Sequence, residues 1–229
     1  MLKSESLICN LPIIKMQHVY VDGEQPKLDS AAEGLVVHSN GNDEINLRLP
    51  NVRRLVLCRC NVGRLYAPRL EQLVVSNSNL THFPRKVVHL KIVSFSSQEM
   101  TISNLDRLIT LTIESGGEYD LYNLPHLREL TIIGHYNISC RVNVPNLRRL
   151  NAIGAKVILD SVDGLEYINV DSAYVIVAGA RPHSAGSCKK ELKMIQNING
   201  YITPLLSGPS RLDEPPEDTL DQFGYSHAY

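Results

Sequence analysis

Apolar residues recur along this chain in a triplet with fixed internal spacing. Leu127, Leu130 and Ile132 stand at positions one, four and six of L-R-E-L-T-I-I-G-H, with polar or small residues between them. The same spacing returns at Leu147, Leu150 and Ala152, and at Leu165, Ile168 and Val170. Upstream it occurs at Ala32, Leu35 and Val37, at Val52, Leu55 and Leu57, and at Leu70, Leu73 and Val75. It continues at Val87, Leu90 and Ile92, and at Leu108, Leu111 and Ile113. Met16, Val19 and Val21 give a weaker first copy. Successive first positions lie 16, 20, 18, 17, 21, 19, 20 and 18 residues apart. A near-constant period of about 19 residues predicts an array in which each copy stacks on the next.

Positions four and six alternate with polar neighbours, the period-two signature of a half-buried strand. Each copy therefore supplies one short parallel strand, with position one packing beneath it. Leu49-Pro50, Ala67-Pro68, Phe83-Pro84, Leu124-Pro125 and Val144-Pro145 precede strands. Proline has no backbone donor and holds φ near −65°, which suits a bend leading into a strand. Short apolar pairs lie between the copies: Ile45 and Leu47, Tyr119 and Leu121, Val142 and Val144, Val157 and Leu159, Val175 and Val177. The connections are too short for a helix of several turns, so the outer wall should be extended segments or turns. Nine rungs at about 4.8 Å each give a stack roughly 40 Å long.

The ends differ from the middle. Residues 1–15 read as an N-terminal cap and 16–178 as the solenoid. Residues 179–202 read as a C-terminal cap, with a short helix over 187–197 that puts Leu192 and Ile195 on one face. Residues 203–229 carry Pro204, Pro209, Pro215 and Pro216 with an acidic run, and read as an extended or flexible tail.

Composition adds limits. Of 229 residues, 43% are hydrophobic; Trp is absent and only three are Phe, so the core must be aliphatic. A formal net charge of −1 gives no reason to expect nucleic acid or an anionic membrane as partner. No window approaches the length of an apolar membrane span. The first sixteen residues make a poor signal peptide, because Asn10 and Pro12 break the apolar run. Cys9, Cys58, Cys60, Cys140 and Cys188 are odd in number and irregular in spacing, which suits free thiols in a reducing compartment. The expected location is the cytoplasm, of the source cell or of a cell into which the protein is delivered.

The L-x-x-L-x-L spacing over residues 16–178, led in by segments such as Leu124-Pro125-His126-Leu127 and Val144-Pro145-Asn146-Leu147, resembles leucine-rich-repeat proteins. The chain departs from that pattern at position nine, where the family usually places Asn or Cys inside the turn. Here Asn40 and Cys60 conform, but Ser78, Phe95, Gly116, His135, Ala155 and Ala173 do not. The expected fold is a β-rich solenoid, an irregular short-repeat arc of the α/β leucine-rich-repeat class. It would have a parallel concave sheet, extended or turn segments on the convex side and few helices. A right-handed parallel β-helix is the alternative.

The resemblance implies that the outward residues of the concave sheet bind a partner. Position three reads His18, Gly34, Arg54, Gln72, His89, Thr110, Glu129, Arg149 and Tyr167. Position five reads Tyr20, Val36, Val56, Val74, Lys91, Thr112, Thr131, Asn151 and Asn169. Position seven reads Asp22, His38, Cys58, Ser76, Val93, Glu114, Ile133, Ile153 and Asp171. Val36, Val56 and Val74 form an outward apolar run, and contiguous exposed apolar area usually marks a contact. Arg128, Arg148 and Arg149 lie near this face, and Arg is enriched at binding hot spots. The plainer reading is a solvated sheet, because Val and Thr simply suit strands.

Cys60 should point inward and Cys58 outward. His38, His89 and His135 converge with no carboxylates at ligand spacing, so neither metal nor cofactor is expected. There is no Gly-rich phosphate loop, H-E-x-x-H or nucleophile elbow. The expectation is a non-catalytic scaffold, monomeric, that binds another protein through the concave face. The alternative is a β-helix enzyme acting on a polysaccharide.

Overall fold

The computed structural model describes residues 16–21, 32–40, 43–162, 164–177 and 194–204. The expected N-terminal cap, Asp22 and residues 205–229 lie outside them.

The described residues form a parallel β-solenoid without helices. The strands are β1 (Met16–Val21), β2 (Gly34–Ser39), β3 (Glu44–Arg48), β4 (Arg54–Cys58), β5 (Asn61–Tyr66), β6 (Gln72–Ser76) and β7 (Asn79–Leu80). Five long strands follow: β8 (His89–Ser103), β9 (Thr110–Tyr122), β10 (Glu129–Asn143), β11 (Arg149–Leu159) and β12 (Tyr167–Val177). The last is β13 (Met194–Pro204). A ten-stranded sheet runs β1-β2-β4-β6-β8-β9-β10-β11-β12-β13, and a three-stranded sheet runs β3-β5-β7. We number the ten strands of the first sheet as rungs one to ten.

Each rung has two extended arms around one aliphatic core. Position four runs Leu35, Leu55, Leu73, Leu90, Leu111, Leu130, Leu150 and Ile168, each the register partner of the next. Position six does the same from Val37 through Leu57, Val75, Ile92, Ile113, Ile132 and Ala152 to Val170. The return arm adds its own files. Tyr119, Cys140, Val157 and Val175 make one, and Ile102, Leu121, Val142, Leu159 and Val177 another. All of these are buried, and so are Leu70, Leu108 and Leu127 at position one.

The prolines do what their geometry allows. Leu70 donates its N–H to the Ala67 carbonyl, Val87 to Pro84, Leu108 to Leu105, and Leu127 to Leu124. These i-to-i+3 bonds close four-residue turns, and Pro68 and Pro125 occupy the second place that a fixed φ favours. The opposite corner turns through the left-handed region at position eight, at Arg59, Asn77, Gly154 and Ser172.

Three expectations need correction. The first copy is displaced by two residues: Gln17, not Val19, opposes Leu35, and Val19 opposes Val37. A slip of two preserves which face each side chain takes, so hydrophobic spacing alone does not fix it. On the return arm the buried pair of β10 is Cys140 and Val142, with Val144 one step further at the turn. Finally, residues 194–197 begin strand β13, and Ile195 opposes Ile168, where a helix was expected. Residues 187–193 of that helix lie outside the described residues. The spacing of Leu192 and Ile195 fits one face of a helix, but it is also positions one and four of another copy.

The resemblance implies Asn or Cys inside the turn at position nine, and Cys60 fills that place while Asn40 does not. Asn40 is exposed. Cys60 and Ser78 are buried instead: the Cys60 N–H donates to Ser78 Oγ at 2.9 Å, and the Ser78 hydroxyl donates to the Ser76 carbonyl at 2.8 Å. One rung pair later, the Tyr119 hydroxyl donates to Ser115 Oγ at 2.8 Å inside the core. Tyr119→Phe should destabilise the fold by about 1–3 kcal/mol, since Ser115 keeps its place but loses a buried partner. Chemical denaturation of the two proteins measures the difference.

Candidate functional site

Alternation puts positions three, five and seven of rungs two to nine on the outside of the main sheet. Val36, Val56 and Val74 are register partners on consecutive rungs, and Lys91 continues the file. Val93 pairs with Ser76 in the neighbouring file. Val36 is only 8% exposed although it points outward; Val56, Val74 and Val93 are half-buried. Together they form one apolar patch over rungs two to five.

The corrected first rung adds aromatic rings at its border. Tyr20, which sequence spacing assigned to position five, opposes His38 at position seven. The two rings stack with centroids 4.8 Å apart, and His18 stacks on the other histidine at 5.7 Å. Tyr20 is 79% exposed. Burial and the nearby His18 hold His38 below its ordinary pKa. No simple alternation signal reveals this cluster, because it depends on the two-residue slip.

The later rungs differ in kind. Lys91 Nζ lies 2.7 Å from Glu114 Oε1, and Arg149 Nη1 lies 3.5 Å from Glu129 Oε1. His89 Nδ1 and Thr110 Oγ1 are 2.8 Å apart, and Asn169 Nδ2 donates to Asn151 Oδ1 at 2.6 Å. Burial lowers the pKa of His89, while Glu71 and Glu129 oppose that shift. Polar side chains here satisfy one another from rung to rung. Gln72, Thr112, Thr131, Tyr167 and Asp171 also lie on this face and are half-buried, as is Arg54. The structure thus brings the sequence-designated residues onto one face and divides that face into an apolar half and a self-paired polar half. Of the nearby arginines, Arg148 pairs with Glu166 at 3.7 Å, on the flank of the sheet.

Cys60 is buried and Cys58 half-buried, as alternation requires. Burial pushes the Cys60 thiol up to about 11, with smaller opposing effects from its hydrogen bonds. Cys140 is pushed higher still by burial. Burial raises Cys58 too, against a weaker lowering by Arg59. Thiolate is the reactive form, so among these three Cys58 should alkylate first, with Cys60 and Cys140 modified only on unfolding. Peptide mapping after brief iodoacetamide treatment at neutral pH tests that order.

The return arm holds a grouping that sequence spacing missed. Glu99 and Glu118 are register partners, and Asp120 is the partner of Thr101 on one side and Arg141 on the other. The carboxylates are exposed. The signal was present in the alternation of E-Y-D-L, whose outward members are acidic. Among the described residues, no three His, Cys, Asp or Glu side chains are arranged to hold a metal ion. No helix among them is long and apolar enough to cross a membrane.

No family model, curated protein or solved structure matches the chain.

Proposed function

We propose that this protein is a non-catalytic scaffold of leucine-rich-repeat character that binds another protein through the outward face of its main sheet. The supporting observation is the register of Val36, Val56 and Val74 on three consecutive rungs, with Val93 beside them. Parallel rungs hold such side chains about 4.8 Å apart on a rigid surface, which presents an apolar strip without a large ordering penalty on binding. Lys91, Glu114 and Arg54 supply a polar border. Tyr20 and His38 extend the strip with stacked rings at the first two described rungs. Such a centre suits an apolar or aromatic anchor on the partner, since hot spots lie in desolvated central pockets. A cytoplasmic setting, in the source cell or a recipient cell, belongs to the same proposal.

The test begins with affinity purification from the native source. The recovered partner is then titrated against purified Val56→Glu/Val74→Glu, with circular dichroism as a check on folding. The proposal expects affinity to fall at least about a hundredfold, a loss of about 3 kcal/mol. A folded double variant that binds as tightly as the parent would refute the site.

A second reading is a β-helix enzyme acting on a polysaccharide, and one observation favours it. Glu99 and Glu118 are register partners, and neighbouring rungs lie about 4.8 Å apart. That is near the roughly 5–5.5 Å separation of retaining glycosidase carboxylates. Release of reducing ends from a polysaccharide panel, abolished by Glu118→Gln, would favour this reading over the first.

A further inference from the structure

The turns before rungs four, five and six carry a feature that the outward face does not explain. Their third places are Arg69, Lys86 and Arg107. The same place holds His126 and Gly164 in later turns. Three cations therefore sit one above another at the rung spacing of about 4.8 Å. With Arg53 they line a cleft of about 250 Å³, floored by Pro68 and Leu70, in which Glu71 is the lone carboxylate. Arg53, Arg69, Lys86 and Arg107 are exposed. No side-chain hydrogen bond or ion pair joins any of these four to another described residue. Elsewhere Lys91, Arg141, Arg148 and Arg149 each face a carboxylate. Stacked like charges repel, so this edge is a standing site for an anionic strand.

The chain carries a matching segment. Residues 205–229 hold Asp213, Glu214, Glu217, Asp218 and Asp221 against a single arginine, Arg211. The segment departs from the corner where the cations stand. Pro204 opposes Val177, and that file continues through Leu159, Val142 and Leu121 to Ile102. Ile102 lies five residues before Arg107 in its own rung. From the Pro204 rung to the Ile102 rung is five steps, about 24 Å, and to the Arg69 turn about 34 Å. An extended chain covers about 3.3 Å per residue, so Asp213 reaches about 30 Å and Glu217 about 43 Å from Pro204. Pro215 and Pro216 favour an extended conformation between the two acidic pairs.

We propose that the acidic segment Asp213–Asp221 docks in cis along this edge. It runs back down the stack, with its carboxylates against Arg107, Lys86, Arg69 and Arg53 and its prolines over Pro68 and Leu70. The edge is separate from the valine face, so this inference stands or falls independently of the partner-binding proposal.

A zero-length carbodiimide on the full chain tests it. The reagent joins Lys86 to an adjacent carboxylate as an amide, which peptide mapping locates. The expected result is an amide between Lys86 and residues 213–221 in monomer-sized material. Its yield falls about tenfold in 1 M salt, where the screening length drops to about 3 Å. Arg69→Glu/Arg107→Glu, at exposed turn positions, should lose it. Adding Asp213→Lys, Glu214→Lys, Glu217→Lys and Asp218→Lys should restore the cross-link with its polarity reversed, read as amides between the lysines introduced in the segment and the carboxylates introduced at positions 69 and 107. Three results would each overturn the proposal: tail amides no more frequent at Lys86 than at Lys156 on the return wall, tail amides confined to dimer-sized material, or yields unchanged in the charge-reversed edge.

Discussion

Leu111→Asp should abolish the folded stack. Leu111 is buried between its register partners Leu90 and Leu130, in the middle of the position-four file. An ionised carboxylate there would face the side chains of Leu90 and Leu130, which cannot pair with it, and burying it unpaired costs more than the removal of the leucine alone. Leu111→Ala gives the graded measure, a loss of about 2–5 kcal/mol from transfer and cavity together. A domain is typically stable by only about 5–15 kcal/mol, so the aspartate variant should be insoluble or unfolded. The effect reaches beyond one rung, because each rung of a solenoid is held only by its neighbours. Thr112→Ala is the control. Its side chain points outward from the adjoining residue, and its effect should stay within about 0.5 kcal/mol. Urea denaturation of Leu111→Ala and Thr112→Ala, with solubility for Leu111→Asp, reads all three.

Gly134→Val should be nearly as damaging, for a different reason. A Cβ on Gly134 would stand 2.0 Å from the Gly154 carbonyl oxygen of the next rung and 2.8 Å from Ile138. The first obstacle is backbone in a neighbouring strand, which a rotamer change cannot clear. The rung must shift bodily, and overpacking of this kind typically costs about 1–3 kcal/mol or more. Gly154 turns at φ 57, so a side chain there is strained even where space remains. Gly63 makes the contrast. The three atoms nearest a Cβ there all belong to the Glu44 side chain, which can swing away, so Gly63→Ala should be mild. Thermal melts of the three alanine variants should rank Gly134 as the most destabilised and Gly63 as the least.

The solenoid was legible because one requirement repeats. Each copy must present Leu or Ile at positions four and six to its neighbours, so the pattern is written many times and survives local exceptions. Ala152 can stand in for an isoleucine because Ile132 and Val170 flank it. The ends were less legible. Gln17 opposes Leu35 at an inward position of the first described rung, so a polar residue there hides the register from a search for apolar spacing. Residues 194–197 misled because an i, i+3 apolar pair serves both a helix face and the first step of the repeat. The corner filling was hidden for another reason. Cys60 stands where the resemblance implies Asn or Cys, but its N–H is held by Ser78 of the next rung, a partnership between copies that spacing within one copy does not show.

The candidate site was legible as a list of outward positions and not as a surface. Alternation placed Val36, Val56 and Val74 correctly. It could not show that Lys91 reaches diagonally to Glu114, because that contact joins different positions on different rungs. Nor could it gather Arg69, Lys86 and Arg107, which lie outside the L-x-x-L-x-L triplet and are related only through the turns.

The stacking itself is most directly tested by disulfide trapping. Thr112 and Thr131 are register partners on adjacent rungs, and Asn151 is the next partner in the file. Partners about 4.8 Å apart fall within the Cα separation that a disulfide spans, whereas two rungs, about 9.6 Å, do not. Thr112→Cys/Thr131→Cys should close rapidly under mild oxidation, and Thr112→Cys/Asn151→Cys should remain reduced. Closure of the second pair in preference to the first would mean that these copies do not stack in the register described.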